Sequence, residues 1–253
     1  MHIAIDRQAL LETLSAAAGV VDSRSPKEVL KCVHLTASQD GLRVRATDTE
    51  VTMQCVVSQV EVKTPGDALI PADKLLQIVR ESIDESLELE YDRQTCHIRG
   101  SDSHYEIYGQ DPLDFPTAAE LDSETDVEID AGKLRSMIDR TIFAAAKIPA
   151  HYAINGVLWE KKGRTLSLVA TDGRRLALAT EDADQASGDA ASMIVPPKTS
   201  HAMRRVLAGA SGSAMIRFSR AELYGSPVVL RAGAYVISSA PMDGQFPQYE
   251  LSL

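Results

Sequence analysis

The 253-residue chain reads as an α+β protein built from one unit used twice. Three observations predict this. Helical periods of apolar residues alternate with stretches of period two, blocks of sequence recur at a nearly constant offset, and 44% apolar with 25% charged residues is ordinary globular usage.

The repeat fixes the organisation. Ile3-Ala4-Ile5-Asp6 with Leu10 and Leu11 returns as Val127-Glu128-Ile129-Asp130 with Leu134, and Leu42-Arg43-Val44-Arg45-Ala46-Thr47-Asp48 returns as Leu166-Ser167-Leu168-Val169-Ala170-Thr171-Asp172, each 124 positions on. Leu69-Ile70-Pro71 matches Ile194-Val195-Pro196 at 125, and Asp114-Phe115-Pro116 matches Gln245-Phe246-Pro247 at 131. A unit of about 120 residues is large enough to bury its own core, so two homologous domains are expected, 1–122 and 123–253, joined near the acidic stretch from Glu120 to Asp126.

Taken in order, Leu10, Leu14, Ala17, Ala18 and Val21 have helical spacing, as do Leu75, Leu76, Val79 and Ile83 after Pro71. The second unit offers Leu134, Ile138, Ile142 and Ala145, then Met203, Val206, Leu207 and Ala210. Between them, Leu42-Val44-Ala46, Leu87-Leu89-Tyr91, His104 to Tyr108 and Val228 to Ile237 alternate as half-buried antiparallel strands do. Two helices per unit are expected to cover one side of antiparallel sheets.

Composition excludes several classes. Apolar runs are far shorter than the roughly 18 residues of a membrane span, and no basic-then-apolar leader opens the chain, so neither membrane nor export is expected. Cys32, Cys55 and Cys96 are odd in number and contain no CxxC, which supports neither a disulfide framework nor a cysteine zinc site and suggests a reducing cytoplasm. With 26 basic against 36 acidic residues, any nucleic-acid contact must be local.

The helices carry that local charge. At about 100° per residue, Lys133, Arg140 and Lys147 share one stripe away from Leu134 and Ile138, while Lys198, His201 and Arg205, with Arg204 at the edge, lie opposite Met203, Val206 and Leu207. Segments 6–20, 72–82, 130–147 and 196–209 carry −1, 0, +2 and +3, leaving −14 for the rest of a chain whose net charge is −10. Helices facing a polyanion would show this asymmetry, and so would plain solvated decoration. The first unit is less basic, exposing Gln8, Glu12 and Ser15, then Asp73, Lys74, Gln77 and Glu81.

Ala170-Thr171-Asp172-Gly173-Arg174-Arg175-Leu176-Ala177, its echo Ala46-Thr47-Asp48-Thr49-Glu50, Ile154-Asn155-Gly156-Val157-Leu158, Ile194-Val195-Pro196 and Gly244-Gln245-Phe246-Pro247-Gln248-Tyr249 together resemble the bacterial sliding clamps, the beta subunits of DNA polymerase III. The resemblance runs the whole chain in order. It implies the DNA clamp fold, with helices inside and sheets outside, and six domains closing a ring around double-stranded DNA without reading its sequence. It implies a non-catalytic processivity factor with no cofactor and no metal. Partners implied are the replicative polymerase, the clamp loader, repair polymerases and mismatch-repair proteins, each docking a short peptide.

Carried over by motif, the peptide pocket would comprise Ile154, Thr171, Gly173, Arg174, Arg175, Leu176 and Pro247, with Arg175 fixing a carbonyl or carboxylate. Leu176 and Ile154 would serve equally as core, and Gly173 as a turn residue. Arg174 stands where the family often places histidine. For DNA, the resemblance adds Arg24 and Tyr152 to Lys133, Arg140, Lys147, Lys198, Arg204 and Arg205, while Ala153 falls where clamps often carry an aromatic.

The family pattern has three domains and this sequence matches two, so a truncated form lacking the third is expected, with Glu250-Leu251-Ser252-Leu253 departing from the usual strand. Three copies of a two-domain chain, or irregular pairing of a free sheet edge, are the alternatives for assembly. Two other classes compete. An acidic protein-interaction module without DNA encirclement is one; an enzyme using the twin acids Asp48 and Asp172, with Glu50 or His151, as general acid and base is the other. No Walker loop, GxGxxG, HExxH or nucleophile elbow supports the enzyme, and Asp172 is expected to bond turn amides instead.

Overall fold

The computed structural model describes residues 1–116, 124–148, 152–219 and 226–252. The chain divides into two compact units, Met1–Ala119 and Glu120–Leu253. The expected boundary between residues 122 and 123 lies outside the described residues, as does His151.

In the first unit, strand β1 (His2–Asp6) leads directly into helix α1 (Arg7–Ala17), because the Asp6 carboxylate accepts from the Ala9 amide at 2.7 Å and caps it. Strands β2 (Cys32–Ser38), β3 (Gly41–Thr47), β4 (Val51–Val57), β5 (Val60–Thr64) and β6 (Gly66–Pro71) follow, then α2 (Ala72–Glu81) and β7 (Ser86–Asp92), β8 (Thr95–Arg99) and β9 (His104–Tyr108). Hydrogen-bonded order is β5-β1-β7-β8-β9 in one layer and β4-β3-β2-β6 in the other. Within the unit α1 packs on α2, burying Leu10, Leu14 and Ala17 with Leu75 and Val79.

The second unit repeats this plan. Strand β10 (Val127–Asp130) meets α3 (Ala131–Thr141), whose cap Asp130 accepts from the Lys133 amide at 2.9 Å. Then come β11 (Val157–Lys162), β12 (Thr165–Thr171), β13 (Leu176–Asp182), β14 (Gln185–Ala186), β15 (Ala191–Val195), α4 (Pro197–Gly209), β16 (Ser213–Arg217), β17 (Val228–Ala232) and β18 (Tyr235–Ser239). Its layers run β14-β10-β16-β17-β18 and β13-β12-β11-β15, the same connectivity as the first unit. Helix α3 packs on α4, with Leu134, Ile138, Met203, Val206 and Leu207 buried.

Helix ends and one strand differ from the sequence expectation: α1 ends at Ala17, short of Ala18 and Val21, and α4 at Gly209, short of Ala210. Helix α2 stops before Ile83, which is 95% exposed: Ser82 turns extended (ψ 141°) while its amide and hydroxyl both donate to the Ile78 carbonyl, at 2.9 and 2.7 Å. Helix α3 ends at Thr141, whose buried hydroxyl donates to the Met137 carbonyl at 2.8 Å, and a tighter turn over Ile142–Ala144 follows. Lys147 therefore lies beyond the helix, off the stripe of Lys133 and Arg140. Val228 to Ile237 is a hairpin, not one strand: Ala232 pairs with Tyr235 across Gly233, whose φ of 55° suits the first position of a tight turn.

Candidate functional site

The second unit contains an open groove of about 1100 Å³ between β11, β15 and the segment that follows β18. Leu158 and Ile194 line its floor and continue beneath it into a row of side chains across adjacent strands. Ile194 on β15 stands opposite Leu158 on β11, and Leu158 opposite Val169 on β12, so register puts all three on one face. These three form one apolar cluster with Ala153 and Tyr249, against which Leu176, Met242 and Phe246 pack.

The chain after β18 is tied over that floor by backbone bonds. The Met242 amide donates to the Ile194 carbonyl at 2.8 Å, and the Ala153 amide to the Gln245 carbonyl at 3.0 Å. Close approach requires glycine at 156, where a Cβ would stand 2.5 Å from Ile194 Cγ2 and 2.8 Å from Met242 Sδ. The Tyr249 hydroxyl donates to Glu160 Oε2 at 2.5 Å, and burial together with this bond raises the tyrosine pKa. A polar rim around an apolar floor is what an extended peptide with hydrophobic anchors requires.

The residues selected by motif divide. Pro247 and Tyr152 line the groove, and Leu176 packs against its apolar cluster. Half-buried Ile154 sits in the preceding turn, its carbonyl accepting from the Ala146 amide at 2.9 Å. Thr171, Gly173, Arg174 and Arg175 form the β12–β13 turn. There the Asp172 carboxylate accepts from the Arg174 and Arg175 amides at 3.0 and 3.1 Å, and those amides, with the Arg175 guanidinium, hold its pKa below the usual carboxylate range. Arg175 is engaged within the unit: its Nε donates to Asp172 at 3.0 Å and its Nη2 to the Phe143 carbonyl at 2.9 Å, with the guanidinium 5.6 Å from the Phe143 ring centre. Sequence reasoning missed Leu158, Val169, Ile194, Met242, Phe246 and Tyr249 as groove formers. The signal for three of them was strand alternation, which becomes a shared floor only once register is known.

The cationic side chains lie mainly on the neighbouring helices. Lys133, Arg140, Arg204 and Arg205 are exposed, and Lys198 is half-buried. Anions interleave: Arg140 pairs with Glu181 at 3.1 Å, while Asp139 on α3 meets Arg204 on α4 at 3.0 Å and Arg135 at 3.9 Å. Desolvation, then the nearby Arg204 and Arg205 charges, lower the His201 pKa and favour the neutral imidazole. Lys147 is exposed in the loop after α3. In the first unit, exposed Arg24 occupies a turn in which its amide donates to the Asp22 carboxylate at 3.1 Å.

Two α+β units of one connectivity, each a pair of packed helices with two β-layers, define the class: this is the fold of the DNA sliding clamps. The models of the DNA polymerase III beta subunit match its N-terminal domain over residues 1–119 and its central domain over residues 128–248. The chain belongs to the DNA polymerase III beta subunit family, the beta sliding clamps, which are non-catalytic processivity factors of DNA polymerase.

Over 251 residues the chain is 34% identical to the beta sliding clamp of Pseudomonas aeruginosa, covering 99% of itself and 67% of that relative. The beta sliding clamp of Escherichia coli K12 is 28% identical over 252 residues, with 98% and 67% covered. A crystal structure of the P. aeruginosa DNA polymerase III subunit beta superposes with a TM-score of 0.89 at 33% identity, over all of this chain and 68% of that one. A P. aeruginosa clamp bound to griselimycin gives the same score and identity over 100% of this chain and 68% of that one. No helix among the described residues is long and apolar enough to cross a membrane.

Proposed function

We propose that this chain acts as a DNA sliding clamp, contributing clamp domains 1–122 and 123–253 to a ring around duplex DNA in the cytoplasm. The single observation that carries this reading is the match of both units, in order, to the first two domains of the beta subunit family. Encirclement needs no base contact: cations meeting phosphates give affinity without sequence preference and allow sliding. Lys133, Arg140, Lys147, Lys198, Arg204 and Arg205, with Arg24 and Tyr152, are the proposed DNA-facing residues. Ring closure is proposed to require the domain equivalent of the remaining third of the relatives' length.

The groove is proposed to dock peptides of the replicative polymerase, clamp loader, repair polymerases and mismatch-repair proteins. Its Leu158 and Ile194 floor, backed by buried Val169 and with Leu176 and Pro247 beside it, would take apolar anchors. Ile154, Thr171, Gly173, Arg174 and Arg175 would bound it from the adjoining turns. That a related P. aeruginosa clamp binds griselimycin supports ligand docking as a property of the family.

The test is loader-dependent retention on nicked circular against linear DNA, using the chain joined to a third clamp domain. Retention on circles with loss from linear ends is the expected result; equal retention on both would refute encirclement. Peptide binding with no DNA retention at all would favour an acidic interaction module, the reading that the chain's net charge of −10 keeps open.

A further inference from the structure

Strands β8 and β9 end one layer of the first unit and place three potential ligands on its outer face. His97 stands opposite Glu106, and Arg99 opposite His104, so His104 lies on the diagonal from His97. Their neighbours Ile98 and Ile107 are 0% and 2% exposed and point into the core, which fixes the outward direction of the alternate residues.

His97 Nδ1 is 3.4 Å from His104 Nε2 and 3.3 Å from Glu106 Oε1. One ligand atom from each of the three residues falls within 4.8 Å of the others. A tetrahedral ion at about 2.0–2.1 Å from its ligands separates them by roughly 3.3–3.4 Å, the two spacings found here. As hydrogen bonds the same contacts are poor, because both neighbours converge on one ring nitrogen and both distances exceed the roughly 2.7–2.9 Å of charge-assisted bonds. A cation would satisfy all three groups at once. The adjacent Arg99 does not oppose it strongly, since its guanidinium is paired to Glu90 at 2.8 Å.

We propose that His97, His104 and Glu106 form a surface site for a borderline divalent transition-metal ion, Zn²⁺ foremost, completed by water. Two imidazoles and one carboxylate suit Zn²⁺ and disfavour Mg²⁺ and Ca²⁺, which demand all-oxygen shells. Pairing across a two-strand register holds the ligands without a loop to order, so binding costs only side-chain rotations. Bound metal would pin β9 to β8 by side chains in addition to the backbone ladder.

Isothermal titration of the full chain with ZnCl₂ in a non-chelating buffer tests this. One Zn²⁺ per chain is expected, undisturbed by excess Mg²⁺. H97Q and H104Q should each weaken binding by at least about tenfold, and E106Q by less, because nitrogen ligands dominate such sites. H2Q should bind as wild type, since His2 pairs instead with Glu88 at 2.7 Å, and so should C96S, whose thiol is buried. Unchanged melting temperatures would show the variants folded; if one is not, Co²⁺ absorption of wild type against E106Q gives an independent readout, with tetrahedral bands weakened in the variant. Zn²⁺ binding that survives the H97Q/H104Q double substitution, or no binding by wild type at millimolar Zn²⁺, would overturn the site.

Discussion

Thr49 and Gly173 hold the same left-handed backbone, with φ of 83° and 84°, at equivalent turns 124 residues apart. Around them the hydrogen bonds also repeat. Thr47 and Thr171 hydroxyls accept from the amides of Thr49 and Gly173, both at 3.0 Å, while Asp48 and Asp172 each accept from the next two amides but one. Glycine takes this conformation without penalty; threonine does not. Replacing Gly173 by Thr should therefore destabilise the second unit by about 1–2 kcal/mol. Replacing Thr49 by Gly, at an exposed position, should be neutral or stabilising by up to about 1 kcal/mol, relief of strain offset by unfolded-state entropy. Urea melts of both variants decide it: a loss above about 1 kcal/mol for the Thr49 variant would show that its side chain contributes more than its backbone costs.

Asp172 has a folded pKa below the carboxylate norm, owing first to the Arg174 amide. Its ionised form therefore favours the folded state above the unfolded carboxyl value of about 3.9, and that contribution disappears as pH falls through the lower folded value. The substitution Asp172→Asn keeps an acceptor but loses the charge facing Arg175. It should be less stable than the parent at pH 7, with the difference closing below about pH 4. A pH series of denaturant midpoints checks the sign; a gap that widens in acid would contradict it.

Trp159 is the single tryptophan, 0% exposed in the second unit, whereas Cys32, Cys55 and Cys96 are all buried in the first. Burial pushes the Cys32 and Cys96 thiols up to about 12. Native protein at pH 8 should therefore react with a thiol reagent only through opening of the first unit, while blue-shifted tryptophan emission reports the second. Parallel urea titrations read each unit separately, and rapid labelling of native thiols would count against the packing described.

Tyr249 closes the groove's apolar floor and donates to Glu160. Tyr249→Phe leaves the ring in place and removes that bond, so stability should fall by about 1–2 kcal/mol, followed through Trp159 emission. Leu158→Ala should act differently, weakening peptide binding measured by anisotropy through loss of an anchoring surface. Unchanged affinity in the Leu158 variant would place docking elsewhere.

Charge reversal at Lys133 and Arg205 should weaken DNA binding evenly across sequences and flatten its salt dependence by about one unit of slope per lost phosphate contact. An unaltered slope would remove these side chains from the DNA-facing set.

The sequence by itself determined the duplicated plan, because apolar period is local: Leu10, Leu14, Leu134 and Ile138 had to be buried on helices. Helix ends were less legible. Ser82 turns extended after α2 and a tighter turn follows Thr141, yet neither residue type forbids a further helical turn. Tertiary structure alone decided which strand residues share a floor. Ile194, Leu158 and Val169 lie far apart in the chain and meet only through the register of β15, β11 and β12. The same holds for Arg175, legible as a cation but committed by the fold to Asp172 and Phe143, and for His97 and His104, brought within 3.4 Å by a hairpin pairing that no periodicity announces. Period is written residue by residue, whereas register is set by the summed packing of both faces of a sheet.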